Sequence, residues 1–188
     1  MELNLFLQQF NLSQTEIDVV VNQSKELILH QGEEFGKVGQ HADTIYYIVE
    51  GTVRSYRIIE GDEFTYAFFS AGELCADYAS ILTKKESQQF FQALTPAKLF
   101  AFSYENIEKQ FEDHPRFERI ARKLSESAYL RSAERANEFQ TDSLEQRYLH
   151  LLDQHEELFQ SASLQHIASY LGVKPQSLSR IRAKILKK

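Results

Sequence analysis

The chain has 188 residues, Lys+Arg 21 against Asp+Glu 27, and a formal net charge of -6. A hydrophobic content of 43% with 14 Phe and 9 Tyr excludes a globally disordered chain, and one Cys excludes an intramolecular disulfide and a multi-thiolate zinc or iron–sulfur centre. The acidity would argue against nucleic acid only if it were evenly spread, and it is not. No acidic residue follows Glu157, whereas Lys174, Arg180, Arg182, Lys184, Lys187 and Lys188 do, which gives that stretch +6 and leaves -12 for the rest. The first residues lack the basic segment and apolar run of a secretory signal, and no window approaches the ~18 apolar residues of a membrane span, so a cytoplasmic protein is expected.

In chain order, Leu3, Phe6, Leu7 and Phe10, then Ile17, Val20 and Val21, fall at helical spacing and predict two short helices. Ser13 or Thr15 can cap the second, with Glu16 close behind. From about Glu26 the pattern changes: six of the seven glycines lie between residues 32 and 72, separated by β-branched and aromatic runs. Residues 44–58 read as two strands joined near Gly51, followed by a turn at Glu60-Gly61 and another strand over 64–69. A further strand pair is predicted at 89–94 and 98–103, with Thr95-Pro96 as its turn. Short strands at this spacing suggest an antiparallel sandwich or barrel.

After Ser103, a capping residue, the pattern stays helical. Pro115 sits where a first helical turn tolerates it, and a long helix is predicted over 116–139. Its apolar residues Phe117, Ile120, Ala121, Leu124 and Ala128 recur three and four apart, one stripe on a charged rod that needs a partner to bury it. A run of capping residues at Thr141-Asp142-Ser143 marks a boundary, beyond which lie helices over 144–155 and 164–171, a turn at Gly172, and a helix from Pro175 onward.

Two helices cross steeply only where the contact residue is small, the turn admits a left-handed backbone and apolar residues close the wedge. Ala168, Gly172 and the set Ile167, Leu171, Val173, Leu178 and Ile181 meet those needs, which is helix-turn-helix spacing. In the second helix Gln176, Ser179 and Arg180 avoid the apolar line. Short polar residues with a long Arg one turn on suit the major groove, where Arg pairs with guanine and Gln with adenine. Lys174, Arg182, Lys184, Lys187 and Lys188 are placed for phosphates. A merely solvated helix face usually mixes signs, and no acidic residue in this stretch compensates the basic ones.

These residues, with Gly32, Gly51, Gly72-Glu73-Leu74 and Ser103-Tyr104, make the chain similar to transcription regulators of the cAMP receptor protein/FNR (Crp/Fnr) family over nearly its full length. The resemblance implies an α+β fold: a cyclic-nucleotide-binding-like β-roll, a jelly roll, over 1–112, a dimerisation helix over 113–140, and a helix-turn-helix over 141–188 that lacks a full wing. It implies base contacts from Gln176, Ser179 and Arg180, with Ser163 and Gln165 on phosphates. One base-reading position that often carries Glu in the family is Gln176 here, which implies a different target. An effector pocket is implied around Gly72, Glu73, Leu74 and Cys75, with Ser87 or Gln88 where cAMP-binding members carry the Arg that neutralises the cyclic phosphate. Losing that charge-assisted bond weakens binding by about 1.5 to 3 kcal/mol, so a regulator that does not respond to cAMP is expected.

Expected partners are a palindromic duplex DNA, a second copy paired through the Phe117–Ala128 stripe, and RNA polymerase, with no cofactor beyond an unknown small-molecule effector. The competing reading is a cyclic-nucleotide- or small-ligand-binding module whose C-terminal helices contact protein. The six histidines form no metal-ligand spacing, Cys75 reads as a small buried hydrophobe, and neither a nucleophile motif nor a phosphate-cradling loop is present, so no enzyme is expected.

Overall fold

The computed structural model describes residues 3–36 and 38–185. Two helices, α1 (Leu3–Gln8) and α2 (Gln14–Asn22), precede eight strands: β1 (Ser24–Leu29), β2 (Glu34–Phe35), β3 (Thr44–Glu50), β4 (Val53–Ile59), β5 (Asp62–Phe69), β6 (Leu74–Cys75), β7 (Phe90–Ala93) and β8 (Ala97–Ser103). A short helix, α3 (Tyr78–Thr83), lies between β6 and β7. Ser13, not Thr15, caps α2, because its spacing to Glu16 closes a reciprocal box: the Glu16 N–H donates to Ser13 Oγ and the Ser13 N–H to the Glu16 carboxylate.

The strands form two four-stranded sheets, ordered β1-β8-β3-β6 and β2-β7-β4-β5, with antiparallel pairing throughout. This is the jelly roll that the sequence predicts. The predicted pairing of 89–94 with 98–103 is corrected: both strands form, but β7 pairs with β2 and β4 while β8 pairs with β1 and β3. Thr95-Pro96 is a crossover between sheets. The Gly51 corner holds it there, since the Leu94 N–H donates to the Thr52 carbonyl and the Thr52 N–H to Thr95 Oγ1. Inside the roll pack Tyr46, Ile48, Val53, Phe91 and Leu99, while Tyr47, Val49 and Phe102 point the other way, onto α1 and α2. That alternation is the pleat of strands with both faces covered.

The Ser103 hydroxyl accepts from the Asn106 N–H and opens α4 (Tyr104–Lys109). Then comes α5 (Pro115–Thr141), with Pro115 in its first turn as the sequence anticipates. The C-terminal module consists of α6 (Leu144–Gln154), the four-residue α7 (Leu158–Ser161), which the helical spacing did not predict, α8 (Leu164–Tyr170) and α9 (Pro175–Ile185). Its apolar core, Leu151, Leu158, Ile167, Ala168, Leu171 and Leu178, also takes in Leu94 and Phe68 from the roll. No described helix is long and apolar enough to cross a membrane.

Gly51 has a positive φ of 91°, and a Cβ there would stand 2.5 Å from the Pro96 carbonyl oxygen. Gly61 has a φ of 89° with nothing within 4 Å of the same Cβ. Gly61→Ala should therefore lose only the backbone cost of about 1 to 2 kcal/mol. Gly51→Ala should lose clearly more, because the opposing atoms are backbone. Urea unfolding of the two variants side by side checks the difference.

Candidate nucleic-acid interface and effector cavity

The turn between α8 and α9 is built on close approach. Ala168 is fully buried, the Val173 N–H donates to its carbonyl at 2.9 Å, and Gly172 takes a φ of 70°. A Cβ on Gly172 would meet the Phe139 ring, from the last turns of α5, at 2.8 Å. Phe139 lies under two guanidinium groups, Arg135 at 5.0 Å and Arg147 at 4.6 Å from its centroid. Arg135 also stacks on Tyr170 at 3.5 Å and donates to the Tyr170 carbonyl. The helix-turn-helix is thus fastened to the end of α5 by one ring and two cations.

On α9, Leu178 is fully buried and Ile181 and Ile185 pack beside it, while Gln176, Ser179, Arg180 and Ala183 are exposed. The three side chains expected to read bases therefore share an open face. Lys174 and Arg182 are exposed as well. Lys184 is not a free cation: its Nζ is paired with the Glu145 carboxylate on α6. A DNA phosphate at that position would compete with this carboxylate. The stretch after Glu157 holds no acid, but the fold supplies one from the preceding helix. Lys187 and Lys188 lie outside the described residues. Ser163 caps α8 by accepting from the His166 N–H, and Ser163 and Gln165 line a crevice of about 470 Å³ whose other wall is the roll.

A larger cavity of about 960 Å³ runs between the roll and α5. Glu73, Leu74 and Cys75 line it, with Asp77, Gln89 and Arg57 among its polar groups. Gly72, with a φ of 93°, makes the turn ahead of β6. Gln88 is exposed and turned away, and Gln89, buried just ahead of β7, faces the cavity in its place. Ser87 is buried and donates through Oγ to the Asp77 carboxylate at 2.8 Å, while the Ser80 N–H donates to the other Asp77 oxygen. Glu73 is held by the Ser70 N–H at 2.7 Å, so its carboxylate already serves a turn. Asp77 is the polar residue that sequence reasoning missed; its signal was the capping residue just ahead of α3.

From α5, Ile120, Ala121, Leu124 and Ala128 line this cavity. Phe117 is corrected as a dimer contact: it is buried within the protomer, packed with Leu3, Leu7 and Ile17 of α1 and α2. The stripe begins as an intramolecular anchor and becomes a half-open wall further along, and Tyr129 and Leu130, beyond it on other faces of α5, are exposed.

Residues 23–114 match the family model of the cyclic nucleotide-binding domain. The Fumarate and nitrate reduction regulatory protein of Vibrio cholerae serotype O1 is 32% identical over 103 residues, 53% of this chain and 40% of that protein. The chain thus spans less than half the length of this curated relative. These matches make residues 23–114 similar to the cyclic nucleotide-binding domain, and the chain similar to regulators of the Crp/Fnr family. Among solved structures, the c-di-GMP responsive regulator CLP of Xanthomonas campestris is similar with a TM-score of 0.72 at 19% identity, covering 93% of this chain and 92% of that one. A structure from Eubacterium rectale assigned to the crp/fnr family of transcriptional regulators has a TM-score of 0.75 at 14% identity, covering 98% and 88%. At those identities the likeness is one of fold.

Within this Crp/Fnr fold Cys75 is a packing residue. It is fully buried, and burial, with the Glu73 carboxylate nearby, pushes its thiol well above the usual range. A chromogenic disulfide reagent at pH 8 should leave the native protein unmodified and label one thiol per chain after denaturation. Labelling of the native state would contradict the assignment.

Proposed function

We propose that this chain is an effector-responsive, dimeric, DNA-binding regulator of transcription that does not respond to cAMP. The observation that carries the reading is the open face of α9, where Gln176, Ser179 and Arg180 stand clear of the apolar line that seats the helix. Arg180 is the bidentate base reader, Gln176 and Ser179 the shorter contacts, and Lys174 and Arg182 neutralise backbone phosphates. Ser163 and Gln165 at the start of α8 meet the backbone on the other side. The working units are 1–112 as sensor, 113–140 as dimerisation helix and 141–188 as reader, acting in the cytoplasm with RNA polymerase as a partner.

The dimer follows from α5. Ile120, Ala121, Leu124 and Ala128 border a mostly apolar cavity, and Tyr129 and Leu130 are exposed on the same helix. A second α5 packed along this face buries it, and two-fold symmetry then sets two α9 helices ~34 Å apart on a palindromic site. The effector enters the cavity beside Glu73, Asp77 and Gln89. A cyclic phosphate is disfavoured beside Asp77, because Ser87 directs its proton to that buried carboxylate and no cation stands at the position where cAMP-binding relatives carry Arg.

Fluorescence anisotropy on duplex DNA that the protein itself selects from a random pool tests the reading. Arg180→Ala should cost about 1 to 3 kcal/mol and relax preference at one base pair. Arg182→Ala should lower the salt slope by about 1, while Lys184→Ala, already paired with Glu145, should leave it nearly unchanged. No selected sequence and a flat salt dependence would sink the proposal. Calorimetry with cAMP should give no heat of binding, and Leu124→Arg should shift the sedimenting species from dimer to monomer.

A further inference from the structure

Arg57 brings an unmatched charge to the wall of the large cavity. It stands on β4 two residues beyond Ser55, so the pleat sets both on one face, and Ser55 Oγ accepts at 3.3 Å from the side-chain amide of Gln89, which lines the same cavity. Across the ladder β5 bulges. Ser55 pairs with Ala67 but Tyr56 with Thr65, which leaves Tyr66 as the extra residue. Tyr66 also lines the cavity, and the Arg57 guanidinium lies 5.5 Å from the centre of its ring. The half-buried cation is thus steadied by a contact that uses none of its N–H donors. Its Nε is buried without a hydrogen-bond partner, and among the described residues no carboxylate lies within ion-pair reach of it.

Other charged groups of this cavity are already served. Glu73 accepts from the Ser70 N–H, and Asp77 accepts from the Ser80 N–H and the Ser87 hydroxyl. Arg135 donates to the Tyr170 carbonyl and stacks on the Tyr170 ring, while Arg131 and Glu134 are exposed and have water for a partner. A partly desolvated cation without a counter-ion costs free energy that an exposed one does not. The cavity therefore has room for an anion at Arg57 more than for a cation at its acids.

The remaining walls say what the anion should carry. Phe69 and Leu74 of the roll and Ile120, Leu124 and Ala128 of α5 are apolar, and a volume of about 960 Å³ is at the upper end for a small-molecule site. A nucleotide would bring ribose hydroxyls and base nitrogens that such walls leave unpaired, whereas a hydrocarbon body gains by burial. A carboxylate matches the planar guanidinium with two parallel N–H···O bonds.

We propose that the cavity takes an apolar monocarboxylate, a fatty or aryl acid, whose head group pairs with Arg57 and whose body packs against Leu74 and Leu124, which presupposes the effector-responsive reading above and names the chemical class of that effector.

Calorimetry on the full chain with octanoate, octan-1-ol and cAMP tests this. Octanoate should bind, octan-1-ol should bind at least about tenfold more weakly, and cAMP should give no heat. Arg57→Gln should lower the affinity for octanoate to that for the alcohol and leave the alcohol unaffected. Arg57→Lys should restore only part of the difference, because a point charge replaces the fork. Equal binding of acid and alcohol, a preference for the acid that survives Arg57→Gln, or no binding of octanoate below its micellar range overturns the assignment. Should Arg57→Gln fold poorly, the comparison of acid with alcohol on the unmodified chain decides by itself. Anisotropy on the selected duplex separates the site from the reading beneath it: saturating octanoate should change DNA affinity at least about fivefold. Octanoate bound through Arg57 with DNA affinity unchanged overturns its role as effector and leaves the carboxylate site standing, and failure to bind any DNA overturns the DNA-binding reading alone.

Discussion

The arrangement of the molecule depends on how Phe139 meets Gly172. The ring occupies the space where any Cβ would lie, so the long helix and the turn of the reader approach closely only because residue 172 has no side chain. Arg135 and Arg147 cover the ring, and Arg135 reaches on to Tyr170. A change in the direction of α5 is passed to α8 and α9 as a rigid-body movement, since a packed contact of this kind is two-state rather than elastic.

The reader has a second attachment, to the roll through Ser169. A module held at two points, the end of α5 and the edge of β5, moves only when one of them gives way. The α5 junction is dense in aromatic and cationic contact, while the seam with β5 rests on the Ser169 hydroxyl, the Tyr170–Phe68 ring contact and Leu94. The cavity under α5 lies between the two, bordered by Tyr66, Phe68 and Phe69 of β5 as well as by the helix. A ligand there that prefers one arrangement would bias both attachments together.

Much of this is legible in sequence because it depends on local rules. The capping box at Ser13, Pro115 in the first turn of α5, the alternation in β3 and β4, and the small-residue and glycine positions of the helix-turn-helix are each set by a few neighbouring side chains. Gln176, Ser179 and Arg180 were legible for the same reason, since helical periodicity alone separates them from Leu178 and Ile181. Pairings over long distance were not. Which sheet β7 and β8 join, the charge partner that Glu145 gives Lys184, and the burial of Phe117 under α1 and α2 all depend on segments tens of residues apart.

The sequence by itself determined the class of fold and the basic C-terminal module on an acidic body, and its resemblance to cAMP-binding regulators marked the place where they carry an arginine and this chain does not. Only the tertiary structure decided what stands in that place, which is the buried pair of Ser87 and Asp77, and that Gln89 rather than Gln88 faces the cavity. It alone revealed the clasp of Ser169 on β5, because a serine hydroxyl carries no signal until a strand edge lies within hydrogen-bond reach. Local propensity is written in adjacent residues, whereas charge compensation, burial and polar satisfaction are properties of the packed chain.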